Sequence, residues 1–220
     1  MNSKIKIKEI PVKIFNKLKH IYICRLGPFV RKLRMPPLPK NINGEILVHI
    51  GCGEERVKRF INIDARALPH VHYVTEDLTL KQFPSSSINL IYACHVLEHI
   101  SHQKLSAVVS DWYNHLKPQG ILRLSVPDFD QIIAIYKDQR YSIVAIQPAL
   151  MGGQEYAFNY HYAVFNHDNL RDILLKGGFS AVRTWDPSTA PYYSFDDWAG
   201  RKLKIDNKEY TISLNLEAIK

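Results

Sequence analysis

A chain of 220 residues with 46% hydrophobic and 23% charged side chains is long enough to bury a substantial core, which excludes a disordered or fibrous polypeptide and predicts a single folded domain. Cys24, Cys52 and Cys94 are widely spaced and fall in no metal-binding pattern. A disulfide scaffold is therefore excluded and a reduced, cytoplasmic setting expected. The formal charge of +8 is uneven: residues 1–40 hold eight Lys and three Arg against Glu9, or +10, leaving +8 − 10 = −2 for residues 41–220. A nucleic-acid-binding domain carries its basic stripe on the folded part, so nucleic acid is not an expected partner.

In chain order, Ile10, Ile14, Leu18, Ile21, Tyr22 and Leu26 recur at spacings of three and four, which predicts an amphipathic basic helix. Such a helix either packs on the domain with its lysines in water or gives a peripheral foothold on an anionic membrane. Gly27, Pro28, Pro36, Pro37 and Pro39 predict a linker over residues 27–44, with Arg31, Lys32 and Arg34 as a solvated run. Residues 1–44 thus form a basic extension and residues 45–220 the domain. No apolar run approaches the ~18 residues a spanning helix needs, so neither a transmembrane segment nor a signal peptide is expected.

Residues 46–50 are suited to a buried strand and run directly into Gly51 and Gly53, as a parallel strand does when it stops at a ligand. Glycine turns the chain sharply there and leaves bare backbone for a bound molecule. Residues 60–64 and 71–77 are further strands ending in Asp64 and Asp77, and residues 88–93 and 120–126 a fourth and a fifth. Strands that end in polar residues predict an open α/β sheet binding its ligand beyond their carboxyl ends. Ten residues between Gly53 and Asp64 leave no room for a long helix. Leu105, Val108, Val109, Trp112 and Leu116 predict a helix ended by residues 117–120, and Pro127 starts another through Tyr136. Residues 141–166 read as an irregular lid, residues 168–176 as a helix stopped by Gly177 and Gly178, and residues 179–185 and 210–216 as the last two strands.

His95-Val-Leu-Glu98-His99 matches the inverted zinc-peptidase signature, which requires a long helix. A strand immediately before it and a helix start near Ser101 exclude that chemistry.

The ordered set Gly51-Cys-Gly53, Asn62-Ile-Asp64, Glu76-Asp-Leu78, Ile91 to His99 and Leu116-Lys-Pro-x-Gly-Ile-Leu122 resembles the class I S-adenosylmethionine-dependent methyltransferases over about residues 45–185. The likeness is greatest to a branch of small methyltransferases associated with surface-polysaccharide biosynthesis. The resemblance implies a doubly wound, mostly parallel, seven-stranded Rossmann-like sheet with a C-terminal antiparallel strand. It also implies S-adenosylmethionine as cofactor, held by Gly51, Cys52, Gly53, Asp64, Asp77, Leu78 and His95. In this pattern Asp64 accepts from the ribose hydroxyls, Asp77 from the adenine amine, and His95 borders the methionine end; Asp77 alternatively caps the turn before Lys81.

Gln154, Asn159 and Tyr160 resemble the branch's substrate segment, and His161 is the preferred general base for an O-methylation, since imidazole titrates near neutrality. The expected acceptor is a sugar or glycolipid precursor of a cell-surface polysaccharide. His49 and Asn89 depart from the family pattern, which keeps a second reading open: a catalytically silent domain that binds a partner through its basic helix. A nucleic-acid methyltransferase is disfavoured, because no Asn/Asp-Pro-Pro-Tyr/Phe motif follows the fourth strand. No metal is assigned. Some ubiquinone-biosynthesis O-methyltransferases carry Glu-x-x-Glu-His here and bind a cation, so Glu98 and His99 either brace the loop or offer ligands.

Overall fold

The computed structural model describes residues 27–33, 35–41 and 43–220, so the amphipathic helix expected over residues 10–26 lies outside the described residues. Seven strands form one sheet: β1 (Leu47–Ile50), β2 (Ile61–Asp64), β3 (Tyr73–Val74), β4 (Ile88–Cys94), β5 (Leu116–Pro127), β6 (Ala181–Thr184) and β9 (Ser213–Ile219). Their spatial order is β3-β2-β1-β4-β5-β9-β6. Neighbouring pairs from β3 to β5 run parallel, while β9 lies antiparallel between β5 and β6. The expected fold, including its C-terminal antiparallel strand, is the one observed.

Burial explains why the central strands were readable. All four residues of β1 are buried, because both faces of the sheet are covered. Val48 and Ile50 face a layer holding Leu105, Val109 and Trp112 of α2 (Leu105–His115) and Leu170 and Leu174 of α5 (His167–Lys176). Leu47 faces the other way, into a cluster with Phe60, Leu90, Tyr92, Trp185, Phe195 and Ala199. The second face is thus closed by the coil around residues 185–199, with Tyr92 stacked on Phe195 at 4.4 Å. A smaller core joins α3 (Phe129–Asp138) and α4 (Ile143–Met151) to the hairpin β7 (Lys202–Ile205) and β8 (Lys208–Thr211).

Six local expectations are corrected. Residues 27–33 are helix α1 (Gly27–Leu33), with Pro28 in the first turn, where its missing N–H costs nothing. Arg31 is no solvated run: its Nε and Nη2 donate to the carbonyls of Val71 and His72, both at 2.9 Å. Residues 117–120 belong to β5, whose register with β4 shifts between Ile88 and Leu90 to admit them. Pro127 ends β5, and Asp128 caps α3 by accepting from Asp130 N–H at 3.0 Å. The lid contains α4, with Pro148 inside it, and the strand expected over residues 210–216 is split between β8 and β9.

A cluster of charged side chains ties β5, β9 and β6 together. Glu217 on β9 receives Arg123 from β5 at 2.7 Å and Arg183 from β6 at 2.9 Å, while Arg123 also reaches the carbonyl of Pro191 and lies over the Trp185 ring. Arg123 and Glu217 are 2% and 3% exposed, so removing one charge strands the other in a medium that cannot solvate it. Glu217→Gln is expected to lower the unfolding free energy by about 3–5 kcal/mol in urea titrations.

Three buried or half-buried histidines, His49, His70 and His72, have pKa values lowered chiefly by desolvation, His49 to about 3. His72 Nδ1 accepts from Asn62 N–H at 2.8 Å, and its Nε2 donates to the carbonyl of Pro37 at 3.1 Å. A lowered folded pKa contributes stability that is complete above the unfolded value of about 6.5 and is lost as pH falls toward the folded one. The urea midpoint is therefore expected to drop between about pH 7 and about pH 5, less steeply in His72→Leu; a flat profile would contradict it.

Candidate functional site

The glycine turn is shaped by the chain's own geometry. Gly51 and Gly53 have φ of +63° and +55°, and a Cβ on Gly51 would stand 2.4 Å from Val96 Cγ2. One carboxylate holds this turn to the neighbouring strand. Asp64 Oδ2 accepts the Gly53 N–H at 2.7 Å, and Oδ1 accepts the Arg66 N–H at 2.8 Å and its Nε at 3.2 Å. His70 Nε2 donates to the Gly53 carbonyl at 3.0 Å. Cys52 is buried, and burial pushes its thiol pKa up, so it is inert packing within the turn.

Beyond the carboxyl ends of β1, β2 and β4 lies a cavity of about 440 Å³ lined by Gly51, Asp64, Asp77, Leu78, His95 and Val96, among others. Leu78, Val96, Ile100 and Val108 give it an apolar slot, while Asp64, Asp77, Ser101 and Lys104 give it polar walls. Apolar space with carboxylates at its edge fits a nucleoside. Trp112 Nε1 donates to the Leu78 carbonyl at 3.0 Å and Asp111 accepts the Leu80 N–H at 2.9 Å, so α2 clamps this wall. Asp77 itself accepts from Thr75 Oγ1, Thr79 N–H and Thr79 Oγ1, with Lys81 at 3.4 Å. Those bonds hold its pKa well below the usual carboxylate range. Asp77 is both turn cap and cavity wall.

A second cavity, of about 850 Å³, adjoins the first and shares Gly51, Arg66, His95, His99 and Tyr156 with it. Its further walls include Asn159, His161, Asp196, Asp197, Trp198 and Arg201. His49 also lines it, packed edge-on to Phe195 and held neutral by burial, as a neighbour of a cationic ligand must be. Gln154 and Tyr160, expected at the substrate, line neither cavity: Gln154 Nε2 donates to the Met151 carbonyl at 3.3 Å, and Tyr160 contributes its carbonyl to His99 Nδ1 at 3.0 Å.

His95 turns at φ +52° and stacks on Trp198. The Ser213 hydroxyl donates to the Trp198 carbonyl at 2.7 Å, so it accepts from His95 Nε2 at 2.8 Å and leaves Nδ1 bare. That nitrogen stands 3.4 Å from Glu98 Oε1, off the hydrogen-bonding line, and neither carboxylate oxygen of Glu98 has a partner. Desolvation raises the Glu98 pKa to about 8 and lowers those of His95 and His161 to about 3 and about 4. The segment holding Glu98 and His99 is one 3₁₀ turn, Leu97–His99, which rules out the long helix of a zinc peptidase. His161 meets His99 edge-to-face at 4.9 Å. Glu98, His99 and His161 offer ligand atoms all within 4.8 Å of one another.

A family profile described as "Methyltransferase domain" matches residues 22–184. The chain belongs to the methyltransferase-domain family. It is an enzyme that uses S-adenosylmethionine, and its glycine turn, strand-end carboxylate and slot suit that cofactor. No curated protein matches the sequence. Among solved structures, a SAM-dependent methyltransferase from Archaeoglobus fulgidus is 14% identical with a TM-score of 0.53, over 94% of this chain and 100% of that one. The 1,6-didemethyltoxoflavin-N1-methyltransferase of Burkholderia thailandensis, solved with 1,6-didemethyltoxoflavin and S-adenosylhomocysteine, is 12% identical with a TM-score of 0.51, over 100% of this chain and 93% of that one. At such identities the likeness is one of fold.

Sequence reasoning missed Arg66 and Trp198. Arg66 pairs with Asp64 and lies 5.1 Å from the Tyr156 ring centroid, joining the cofactor wall to the lid. Its position two residues after a strand-end carboxylate was the one available signal. Gly51→Ala is expected to weaken S-adenosylmethionine binding by more than about tenfold in calorimetry, because it forces both a left-handed Ala and a Val96 clash. Gly53→Ala, whose Cβ meets only the flexible Arg66 Nη2 at 3.3 Å, is expected to cost less.

Proposed function

We propose that this methyltransferase methylates a hydroxyl of a sugar or glycolipid precursor of a cell-surface polysaccharide. The observation that carries the reading is the pair of adjoining cavities: one suits a nucleoside, and the second is larger, with Asn159, Asp196, Asp197 and Arg201 beside the faces of Trp198 and Tyr156. Hydrogen-bonding groups around exposed aromatic faces suit a hydroxylated ring. The silent-domain alternative has less support, because the crevice is open and the chain carries the family's domain.

S-adenosylmethionine, when bound, supplies a methyl group on a sulfonium that departs as a neutral thioether. The chain's residues bind, align and handle the proton. Gly51 and Gly53 offer bare backbone, Asp64 takes the ribose side, and Asp77 and Leu78 take the base side. His95, neutral and anchored through Ser213, borders the junction of the two cavities without adding charge beside a cation. His161, on the wall of the larger cavity, has its pKa lowered by burial to about 4, below the near-neutral value expected, so it stands unprotonated and accepts the acceptor's proton as a weaker base, while Asn159 orients the sugar. Alignment contributes most, up to ~7–11 kcal/mol in favourable cases, since a displacement at carbon needs little else.

A peripheral membrane contact of a cytoplasmic protein fits the N-terminal segment. Phe29, Leu33, Met35 and Leu38 are all at least half exposed beside Lys32 and within the +10 extension. Among the described residues no helix is long and apolar enough to cross a membrane.

Methyl uptake from labelled S-adenosylmethionine across a panel of nucleotide sugars and lipid-linked sugars tests the acceptor class; labelling of amines with no sugar labelled would overturn it. Against the best acceptor, His161→Ala is expected to lower kcat by roughly 10²–10⁴ while leaving the cofactor dissociation constant within a factor of about two. Asp64→Ala is expected to raise that constant by more than about tenfold.

A further inference from the structure

We propose that Glu98, His99 and His161 form a site for one divalent transition-metal ion at the wall between the two cavities. Each offers a ligand atom, and the three atoms lie within 4.8 Å of one another. The set joins two elements distant in sequence, the 3₁₀ turn after β4 and the lid. Backbone bonds hold those elements together: Tyr162 N–H and Ala163 N–H both donate to the Glu98 carbonyl, at 2.7 and 3.2 Å, and His161 N–H donates to the Met151 carbonyl at 3.1 Å. The donors are thus mounted on fixed backbone.

Two observations point to a ligand that belongs here. Glu98 is 1% exposed, yet both its carboxylate oxygens lack a hydrogen-bond partner, a costly arrangement for a buried polar group that a cation at the carboxylate would relieve. His99 Nδ1 lies 3.0 Å from the Tyr160 carbonyl, which can only accept, so Nδ1 carries the hydrogen and Nε2 keeps its lone pair. A backbone carbonyl fixing the tautomer of a ligating imidazole is the usual outer-shell arrangement of metal sites.

Two imidazoles and one carboxylate suit zinc or ferrous iron better than magnesium or calcium, which prefer all-oxygen sets. Bond lengths of about 2.1 Å limit ligand separations to about 4.2 Å. Three ligands about one tetrahedral ion stand about 3.4 Å apart, so the widest pair closes by up to about 1.4 Å on binding, within the reach of side-chain torsions. The set is not the one weighed from the sequence, Glu98 and His99 with His95 in the place of the motif's first Glu: the structure brings in His161, and His95 is not among the three convergent donors.

The remaining coordination positions face the larger cavity, which both His99 and His161 line. In its role, though not in its existence, the site rests on the methyl-transfer reading. There the ion would bind the acceptor hydroxyl oxygen and favour loss of its proton to solvent, and His161 would be a ligand in place of a proton acceptor. The oxygen lone pair then forms the new bond to the methyl carbon, and the carbon–sulfur pair stays with the departing sulfur.

The test uses tag-free full chain stripped with chelator and titrated with Zn²⁺ by calorimetry, and with Co²⁺ followed by its visible absorption. One ion per chain is expected, with Co²⁺ bands typical of mixed nitrogen and oxygen ligands. Glu98→Gln and His161→Ala should each weaken binding by more than about tenfold, while His167→Ala, an exposed histidine away from both cavities, should leave it unchanged. Circular dichroism establishes that each variant is folded; if Glu98→Gln is not, His161→Ala and His99→Ala carry the comparison. Absence of stoichiometric Zn²⁺ binding, or binding that survives the His99→Ala/His161→Ala double variant, overturns the site. S-adenosylmethionine titrated into the same samples separates the two readings: cofactor binding without metal refutes only the metal site, and metal binding without cofactor refutes the methyl-transfer role.

Discussion

The Asp64 carboxylate is the joint on which the ligand end of this molecule depends. Its two oxygens accept from the glycine turn after β1 and from Arg66 after β2, so the tips of two parallel strands are fixed by one side chain. Parallel strands supply no hydrogen bonds to one another beyond their ends, and the loops there need such a tie to keep a defined shape. Because Arg66 also lies against Tyr156, the tie extends from the sheet to the lid. Oδ2 accepts a single bond, so it keeps a lone pair beside the smaller cavity that Asp64 lines.

The opposite end of the sheet is held by different physics. Glu217 between Arg123 and Arg183 cross-links β5, β9 and β6, and Arg123 continues to Pro191 and Trp185, where the coil over the second face begins. That coil carries Asp197, which accepts from Tyr92 at 2.6 Å and from Tyr193 at 2.8 Å. Trp198 follows directly and stacks on His95. A buried ion cluster in the C-terminal half thus sets one wall of the larger cavity, more than a hundred residues from the turn that shapes the smaller one.

What could be read from the sequence was what local pattern determines. Residues 46–50, 60–64 and 88–93 were legible as strands because both sheet faces are covered and nearly every position must be apolar. Asp64 and Asp77 were legible because they end such runs. The hairpin β7–β8 was not, since β7 alternates lysines with partly buried residues, β8 has one partly buried residue, Tyr210, and both pack only on a satellite core. α1 and α4 were hidden by prolines that the structure accepts in a first turn and inside a helix. The meeting of His161 with Glu98 and His99 joins positions about sixty residues apart, and no periodicity encodes a contact at that range. Gln154 and Tyr160 failed for the same reason: lying in the right segment did not determine which side of it faces the cavity.

The seat of α1 bears on how copies of this protein meet one another. β3 is the last strand on its side, and an open border of that kind offers unpaired backbone groups to any passing chain. Arg31 occupies the carbonyls of Val71 and His72 immediately before β3, and His72 in turn holds the residue-37 carbonyl of the following segment. Among the described residues, Gly27–Leu33 and the segment at residue 37 are therefore pinned beside this margin. A second chain adding to β3 would have to pass Arg31 and Lys32, and two such margins would bring like charges face to face.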